Sequence, residues 1–408
     1  MSWEKVKLGD IAASVQTGPF GSQLHQSDYS EFGTPVVMPK DMIGGKILED
    51  SIARVEEQHV NRLSRHKVNV GDILYARRGD IGKCALVTEN EKGWLCGTGC
   101  LKVTIDFSKA NPKFVFYQLQ KPETVGWVEK HAVGATMLNL NTGILESIPI
   151  ELPELNEQNK IVDILSAYDD LIENNQKQIK LLEEAAQRLY KQWFIDLRYP
   201  GHETTPIVDG LPEGWKTVQI QDVCKNIGAG GTPSRSQKNF WENGNIDWFK
   251  TQELCDCWLF EASEKISEEG LKRSAAKMFP ANSILMAIYA SPTLGRLGIL
   301  TKEACSNQAA LCLQADESKV SNYWLYLKLF ELRDRFNSIA RGAGQQNISG
   351  IIVKETEITL PAYSVMENFT EMVKPFFEMQ RTLQIQNKSL TQTRDRLLPK
   401  LMNGELEI

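Results

Sequence analysis

The sequence predicts a mixed α/β protein written twice, as two copies of one module, each closed by a long helix. Three observations predict it. Val133 to Arg198 aligns without a gap on Arg341 to Leu406 at an offset of 208, with VGATMLNLNTGILESIPIELP (133–153) lying on RGAGQQNISGIIVKETEITLP (341–361). Upstream, WEKVKLGDI from Trp3 matches WKTVQIQDV from Trp215 at an offset of 212. Within each copy, short β-like runs alternate with Gly/Pro punctuation and a few helical stretches, the pattern of an α/β unit of about 150 residues. After each copy comes a sustained heptad pattern.

The elements follow one order in both copies. A β-like start (VKLGDI, VQIQDV) leads into a Gly-rich loop, Gln16-Thr17-Gly18-Pro19-Phe20-Gly21-Ser22 in one and Gly228-Ala229-Gly230-Gly231-Thr232-Pro233-Ser234 in the other. A second run is TPVVMPKDM in one copy and NIDWFKTQE in the other, and the lysine within it, Lys40, is matched to Lys250. A third sets Gly71-Asp72-Ile73-Leu74-Tyr75-Ala76 against Asn282-Ser283-Ile284-Leu285-Met286-Ala287. An aromatic-rich helix follows, KFVFYQL against NYWLYLK, with Phe114 on Tyr323 and Tyr117 on Tyr326. The module closes on IPIELP or TEITLP.

In the first long helix the apolar seam steps through Ile161, Leu165, Tyr168, Ile172, Asn175, Ile179, Leu182, Ala186, Leu189 and Trp193. The second keeps the register through Phe369, Val373, Phe376, Gln380, Leu383, Asn387, Leu390, Arg394, Leu397 and Leu401. At ~1.5 Å per residue such a seam is a rod of roughly 50–60 Å. Asn175 and Asn387 interrupt it, and a buried polar residue there costs stability but fixes register. Pro375 is expected to kink or restart the second helix, and Pro399 to mark its end. The seams either bury against their own globular modules or pack on each other; helices related by a pseudo-two-fold would pair antiparallel. Tyr199 to Gly210 has the Pro, Gly and Thr content of an exposed linker.

Composition bounds the function. A chain of 408 residues with 42% apolar side chains fills more than one globular core. Nothing resembles a signal peptide, and no apolar run approaches the ~20 residues that span a bilayer, so a cytoplasmic protein is expected. The net charge of −6 argues against a generic nucleic-acid coat, and both globular segments are close to neutral. Phosphate contacts would come from local basic clusters. The eight cysteines do not form a disulfide framework in a chain of this size. Neither Cys96 with Cys100 nor Cys255 with Cys257 has zinc-ligand spacing, and no metal is expected.

Enzyme motifs fail on inspection. Asn111-Pro112-Lys113-Phe114 imitates the Asn-Pro-Pro-aromatic loop of amino-methyltransferases, but Lys113 replaces the second proline and no Gly-rich cofactor turn precedes it. The other copy has Val320, Ser321, Asn322 and Tyr323 there, so a proline at a helix start explains the motif. Glu317-Ser318-Lys319 lies in a polar turn without a counterpart in the first copy. No P-loop and no Ser/His/Asp grouping can be assembled. No catalytic residue is assigned.

The segment LPELNEQNKIVDILSAYDDLIENNQKQIKLLEEAAQRLYKQWF (152–194), with GLPEGW (210–215), GGTPS (230–234) and the terminal TRDRLLPKLMNGELEI (393–408), resembles the specificity subunit of type I restriction-modification enzymes. The similarity covers nearly the whole chain, and the helical segments are its specific part. The resemblance implies a first target recognition domain over 1–153, a central helical spacer over 154–198, a linker over 199–211, a second recognition domain over 212–361 and a C-terminal spacer over 362–408. It implies a non-catalytic DNA-specificity subunit that reads a bipartite, asymmetric site in double-stranded DNA, one half per domain. The paired helices, through Ile161, Leu165, Ile172, Asn175, Ile179, Leu182, Leu189, Trp193, Val373, Leu383, Asn387, Leu390 and Leu397, would act as a ruler. They would also dock two adenine-methyltransferase subunits, which motor-nuclease subunits join. S-adenosylmethionine, ATP and magnesium would then belong to those partners, with no cofactor on this chain. Two other readings stay open: a duplicated protein-binding scaffold without a DNA role, and a specificity subunit serving a fused methyltransferase–nuclease.

A duplicated reader should match between copies where it builds and differ where it reads. Arg or Lys reads guanine, and Asn or Gln reads adenine. The loops differ: Gln16, Thr17 and Ser22 against Thr232, Ser234, Arg235 and Lys238. The turn after the third strand differs too, Arg77-Arg78-Gly79 against Ile288-Tyr289-Ala290 and an inserted Ser291-Pro292. Gln345 and Gln346 against Met137 and Leu138 form a third divergent patch, next to the matching Asn139 and Asn347. Lys40 and Lys250, as shared cations, are assigned to phosphates. Gly and Thr in the loops are also ordinary turn chemistry.

Overall fold

The computed structural model describes residues 3–134, 138–289, 293–340 and 347–406, without the side chain of Ser22. The chain divides into two compact units, Met1–Ile172 with Lys388–Ile408, and Glu173–Asn387. Each contains one copy of the module, the first part of the helix that follows it and the last part of the other long helix.

In the first unit a four-stranded antiparallel sheet runs in the order 12–17, 100–105, 73–76, 84–86. All four residues of the strand Ile73–Ala76 are buried because both faces are covered. Ile73, Tyr75, Leu101 and Val103 point to one core with Phe114, Val115 and Leu119 of the helix Pro112–Leu119. Leu74, Ala76, Ala85 and Cys100 point to another with Val37 and Met42. The period-2 alternation of a strand thus divides one continuous apolar run between two cores. A second sheet, ordered 95–96, 34–37, 53–55, 29–30, lies beside it in sequence order. Glu4–Lys7 pairs with Pro149–Leu152 and closes the module.

The second unit repeats this plan with 224–229, 310–315, 284–287 and 297–300, and adds 257–259 as a parallel edge strand. Lys216–Gln219 closes on Glu357–Leu360. The two long helices, Leu155–Phe194 and Tyr363–Met402, are 40 residues each. Every expected seam position is buried or half-buried.

The seams face both the other helix and the globular module. In the first unit Ile161 and Leu165 share a core with Leu397 and Leu401 and with the sheet. Tyr117 Oη donates to Asp169 Oδ2 at 2.5 Å, and Arg394 Nη1 donates to Asp169 Oδ1 at 2.8 Å. This is why a seam position tolerates arginine. In the second unit Phe369 packs on Tyr190, Trp193 and Phe194, with ring centroids 6.1, 5.7 and 4.8 Å away. There Asn175 Nδ2 lies 3.5 Å from Gln386 Oε1. Residue numbers fall on one helix as they rise on the other, so the helices run antiparallel in that unit. Asn175 is buried, and Asn387 Oδ1 is buried without a hydrogen-bond partner.

Four expectations are corrected. The second helix neither restarts at Pro375 nor ends at Pro399 but runs on to Met402. Buried Val373 and Phe377 flank the first proline, and Leu401 and Met402 follow the second. Packing on these faces outweighs the backbone hydrogen bond that each proline deletes. The stop is instead Gly404, left-handed at φ 67. Its N–H donates to Leu401 O at 3.3 Å while Glu405 N–H donates to Lys400 O at 2.9 Å, a Schellman end. Next, the segment expected as an exposed linker is exposed along most of its length but is anchored at its start, where Tyr199 is buried against Trp215 with ring centroids 5.3 Å apart. Ile207–Val208 there forms a hairpin with Leu211–Pro212. Third, Gln16, Thr17, Gly228 and Ala229 belong to strands, so both Gly-rich loops begin two residues later than the composition suggests.

The fourth correction is one of register. Val37 pairs with Cys96 as Phe249 pairs with Ser306, so Lys250 corresponds to Met38 and Lys40 to Gln252. The same 3-10 turn shows it: Met38 N–H donates to Asp41 and Lys250 N–H to Glu253, each at 2.8 Å. The aromatic helix slips by one residue as well. Asn111 and Ser321 are the equivalent N-caps, which sets Phe114 on Trp324, both fully buried.

Candidate functional site

Three stretches chosen for divergence converge on one end of each unit's main sheet. In the first unit Gly18 N–H donates to Cys100 O at 2.9 Å, bringing the Gly-rich loop onto the connector 97–99. Arg77 N–H donates to Gly99 O at 2.8 Å, and Leu140 N–H donates to Arg77 O at 2.9 Å. Arg78 bridges to Asn139. The 3-10 turn carrying Lys40 joins from the second sheet, where Gly97 N–H donates to Val37 O at 2.9 Å.

The second unit repeats each of these bonds. Gly230 N–H donates to Ala310 O at 3.1 Å, Ile288 N–H to Ala309 O at 2.9 Å and Ile348 N–H to Ile288 O at 3.0 Å. Tyr289 bridges to Asn347, and Asn307 N–H donates to Phe249 O at 3.0 Å. The matching Asn139 and Asn347 are therefore scaffold. The loop glycines have a steric cause: a Cβ on Gly18 would stand 1.8 Å from Gly97 O, and one on Gly230 would stand 2.2 Å from Ser306 O. No side chain fits where these backbones cross.

On this shared backbone the side chains diverge. Arg77 is half-buried, its Nε is buried without a partner, and its guanidinium lies 5.8 Å from the ring centroid of Phe20. Phe20 projects from the loop with 53% of its surface exposed. Arg78 is exposed. Gln16 and Thr17 sit half-buried in the strand opposite Lys102 and Leu101, and the backbone of Ser22 lies in the 3-10 turn Gly21–Gln23. Lys40 reaches Ser51 O at 3.2 Å and remains largely exposed.

In the second unit Ile288 occupies the Arg77 position and is core. The loop cation is Arg235, stacked 3.6 Å from the ring centroid of Trp241 and hydrogen-bonded to Glu264. Lys250 donates to the same carboxylate at 2.8 Å. Arg235 first, and Lys250 after it, hold the Glu264 carboxyl below its usual range. Thr232 Oγ1 donates to Gln308 Oε1, Ser234 contacts Ser236 at 2.8 Å, and Lys238 is exposed at the start of a 3-10 turn. Gln345 and Gln346 lie outside the described residues.

Sequence comparison missed the connector itself, Gly97-Thr98-Gly99 against Asn307-Gln308-Ala309. Aligning LCGTGCLKV with CSNQAALCL would have found it, because the two segments diverge between matching strands. Asn111 is fully engaged: its side chain caps the helix by accepting from Lys113 N–H and Phe114 N–H, and Nδ2 donates to Asn159 at 2.8 Å. No methyltransferase-like amide is free there. Among the described residues no group of acidic, Cys and His side chains has metal-site geometry, and no helix is long and apolar enough to cross a membrane.

Divergent side chains on a shared backbone scaffold suit recognition of partners that differ between the two copies. The model of the type I restriction modification DNA specificity domain matches the chain twice, over residues 1–184 and 212–392. Among curated proteins, the type I restriction enzyme MjaIX specificity subunit of Methanocaldococcus jannaschii is 26% identical across 100% of this chain and 94% of its own. The HindI specificity subunit of Haemophilus influenzae is 23% identical across 99% of both. Among solved structures, the S subunit of a type I restriction-modification system from M. genitalium superposes with a TM-score of 0.59 at 15% identity, covering 98% of this chain and 96% of that one. That likeness concerns the fold.

Proposed function

Since the chain belongs to the type I restriction-modification DNA specificity family, whose members are non-catalytic recognition subunits, we propose that each sheet end reads one half of a bipartite, asymmetric DNA site. The observation that carries this reading is the pairing of shared backbone bonds with unshared side chains around residues 77 and 288. Phosphate contacts fix a protein's orientation on DNA and base contacts specify sequence, so a reader needs a rigid platform and variable tips.

In the first unit Arg77 stands beside exposed Phe20 where the second unit has core Ile288, and its guanidinium would reach a guanine edge. In the second unit Tyr289, Gln308 and Arg235 stand at the corresponding end and favour a different base sequence. The antiparallel seams set the separation of the half-sites, and the outer faces of the two helices dock a pair of adenine-methyltransferase subunits. Motor-nuclease subunits join these. S-adenosylmethionine, ATP and magnesium are held by those partners, and the assembly works in the cytoplasm.

Methylome sequencing of cells with and without the gene tests the proposal. Loss of one bipartite adenine-methylation motif is the expected result. An unchanged methylome, together with no duplex binding by the methyltransferase-bound complex, would favour a scaffold without a DNA role.

A further inference from the structure

A cationic cluster beside Thr17 has no part in the base-reading just described. Arg65 closes the 3-10 turn Ser64–His66 at the surface, and its Nε donates to His66 Nε2 at 3.0 Å. His66 is 2% exposed and is hydrogen-bonded to the Thr17 backbone. Burial first, then the charges of Arg65 and Lys102, pushes its pKa down to about 4. The ring is therefore neutral near pH 7, and Nε2 is free to accept. Behind it Lys102, 6% exposed, donates to the carbonyls of Lys67 at 2.8 Å and Arg65 at 3.3 Å. Neither Arg65 nor Lys102 makes an ion pair among the described residues.

The second unit lacks this arrangement. Lys102 pairs across the sheet with Leu74 as Cys312 pairs with Leu285, so a buried thiol replaces the buried ammonium. Several cations of that unit are matched in place, Arg235 and Lys250 on Glu264, Lys302 on Asp247 and Arg333 on Asp256, and among the described residues none of them has a buried ammonium like Lys102 behind it. A buried charge without a counter-ion is costly, and an anion arriving beside it recovers part of that cost. A guanidinium whose Nε is already occupied turns its two Nη groups outward, in the fork that suits a phosphate.

We propose that Arg65, seated by His66 and backed by Lys102, grips a backbone phosphate of duplex DNA, a contact for which the second unit, with Cys312 at the Lys102 position, has no equivalent support. The proposal rests on the recognition reading above and adds to it a phosphate site and an asymmetry between the units. His66 is a positioning residue and does not itself touch the phosphate.

The test uses the chain assembled with its methyltransferase subunits and a random-sequence duplex, with fluorescence anisotropy followed across a salt series. Arg65→Gln should weaken binding several-fold at low salt and reduce the slope of log K against log salt by about 0.9, the value for one phosphate. Arg65→Lys should restore the slope, and Arg235→Gln should lower it by less than Arg65→Gln does. An unchanged slope in Arg65→Gln overturns the proposal, as does a loss that Arg65→Lys fails to restore, since that loss would reflect packing. A wild-type complex with no salt-dependent affinity for the duplex would overturn the recognition reading itself.

Discussion

After the third strand of its main sheet the first unit carries Arg77, half-buried with an unpaired Nε, and the second carries Ile288, 3% exposed. Both backbones nevertheless donate to the connector, at 2.8 and 2.9 Å, and accept from the returning segment, at 2.9 and 3.0 Å. The main-chain network carries the position, so the side chain can change from a core residue to a cation without moving the loop. A similar division appears where the long helices dock. The first unit uses a Tyr117–Asp169–Arg394 network, whereas the second has Phe377, the counterpart of Asp169 at the 208 offset, packed on Tyr323 and Tyr326. Different chemistry fills the same architectural place, apolar in one unit and charged in the other.

The largest expected effect is on the aromatic packing around Phe369 in the second unit. Phe369 is fully buried among three aromatic rings, and Phe369→Ala should destabilise the second unit by about 3–5 kcal/mol in denaturant unfolding of the whole chain. The Asp169 network of the first unit should respond less, because Asp169 and Arg394 are only half-buried. Asp169→Asn, which weakens two hydrogen bonds, should cost about 1–3 kcal/mol. A larger loss there than in Phe369→Ala would break the contrast.

Arg77→Ile converts the first unit's tip to the residue of the second. Recognition of one half-site should weaken by about 1–3 kcal/mol, with thermal stability equal to or above wild type, since a buried unpaired donor is removed. Equal loss at both half-sites, measured with duplexes altered in one half at a time, would sink the assignment. Insertion of about four residues between Lys177 and Glu183 shifts the seam by roughly one turn. The methylated motif should then keep both half-sites and change only its spacer, and altered bases with an unaltered spacer would contradict the ruler.

The smallest effect concerns pH. Burial first, and then the charge of Asp256, raises the Glu183 carboxyl from 4.5 to about 7 in the second unit. The folded state thus holds a proton that the unfolded state has released, and stability falls as pH rises from about 4.5 to about 7 and is level above that. Glu183→Gln should remove this slope and stabilise the second unit at pH 8. An unaltered pH profile in urea unfolding would show that Glu183 is not buried as described.

Several features were legible in the residues alone. An ungapped repeat required two like modules, and the heptad seams identified two helices whose 40-residue spans begin 208 positions apart, at Leu155 and Tyr363. The run Ile73–Ala76 read correctly as a strand, and the structure buries it on both faces. Local signals failed where tertiary packing outweighs them. Pro375 and Pro399 stay helical because buried side chains on neighbouring turns hold the backbone, and Tyr199 is buried because Trp215 stands beside it.

The alignment of Lys40 with Lys250 was plausible as a string of letters and wrong by two residues, because only strand pairing sets register. The site shows the same limit. Divergence singled out Arg77, Arg78 and the Gly-rich loops, yet it could not show that they meet, nor that Arg235 is matched by Glu264 while Arg65 is not. By itself the sequence determined which segments repeat, which faces are apolar and which residues differ. Which of those differing residues share one sheet end, and which of their charges are left unmatched, was decided by hydrogen bonds between segments far apart in the chain, to which local pattern is blind.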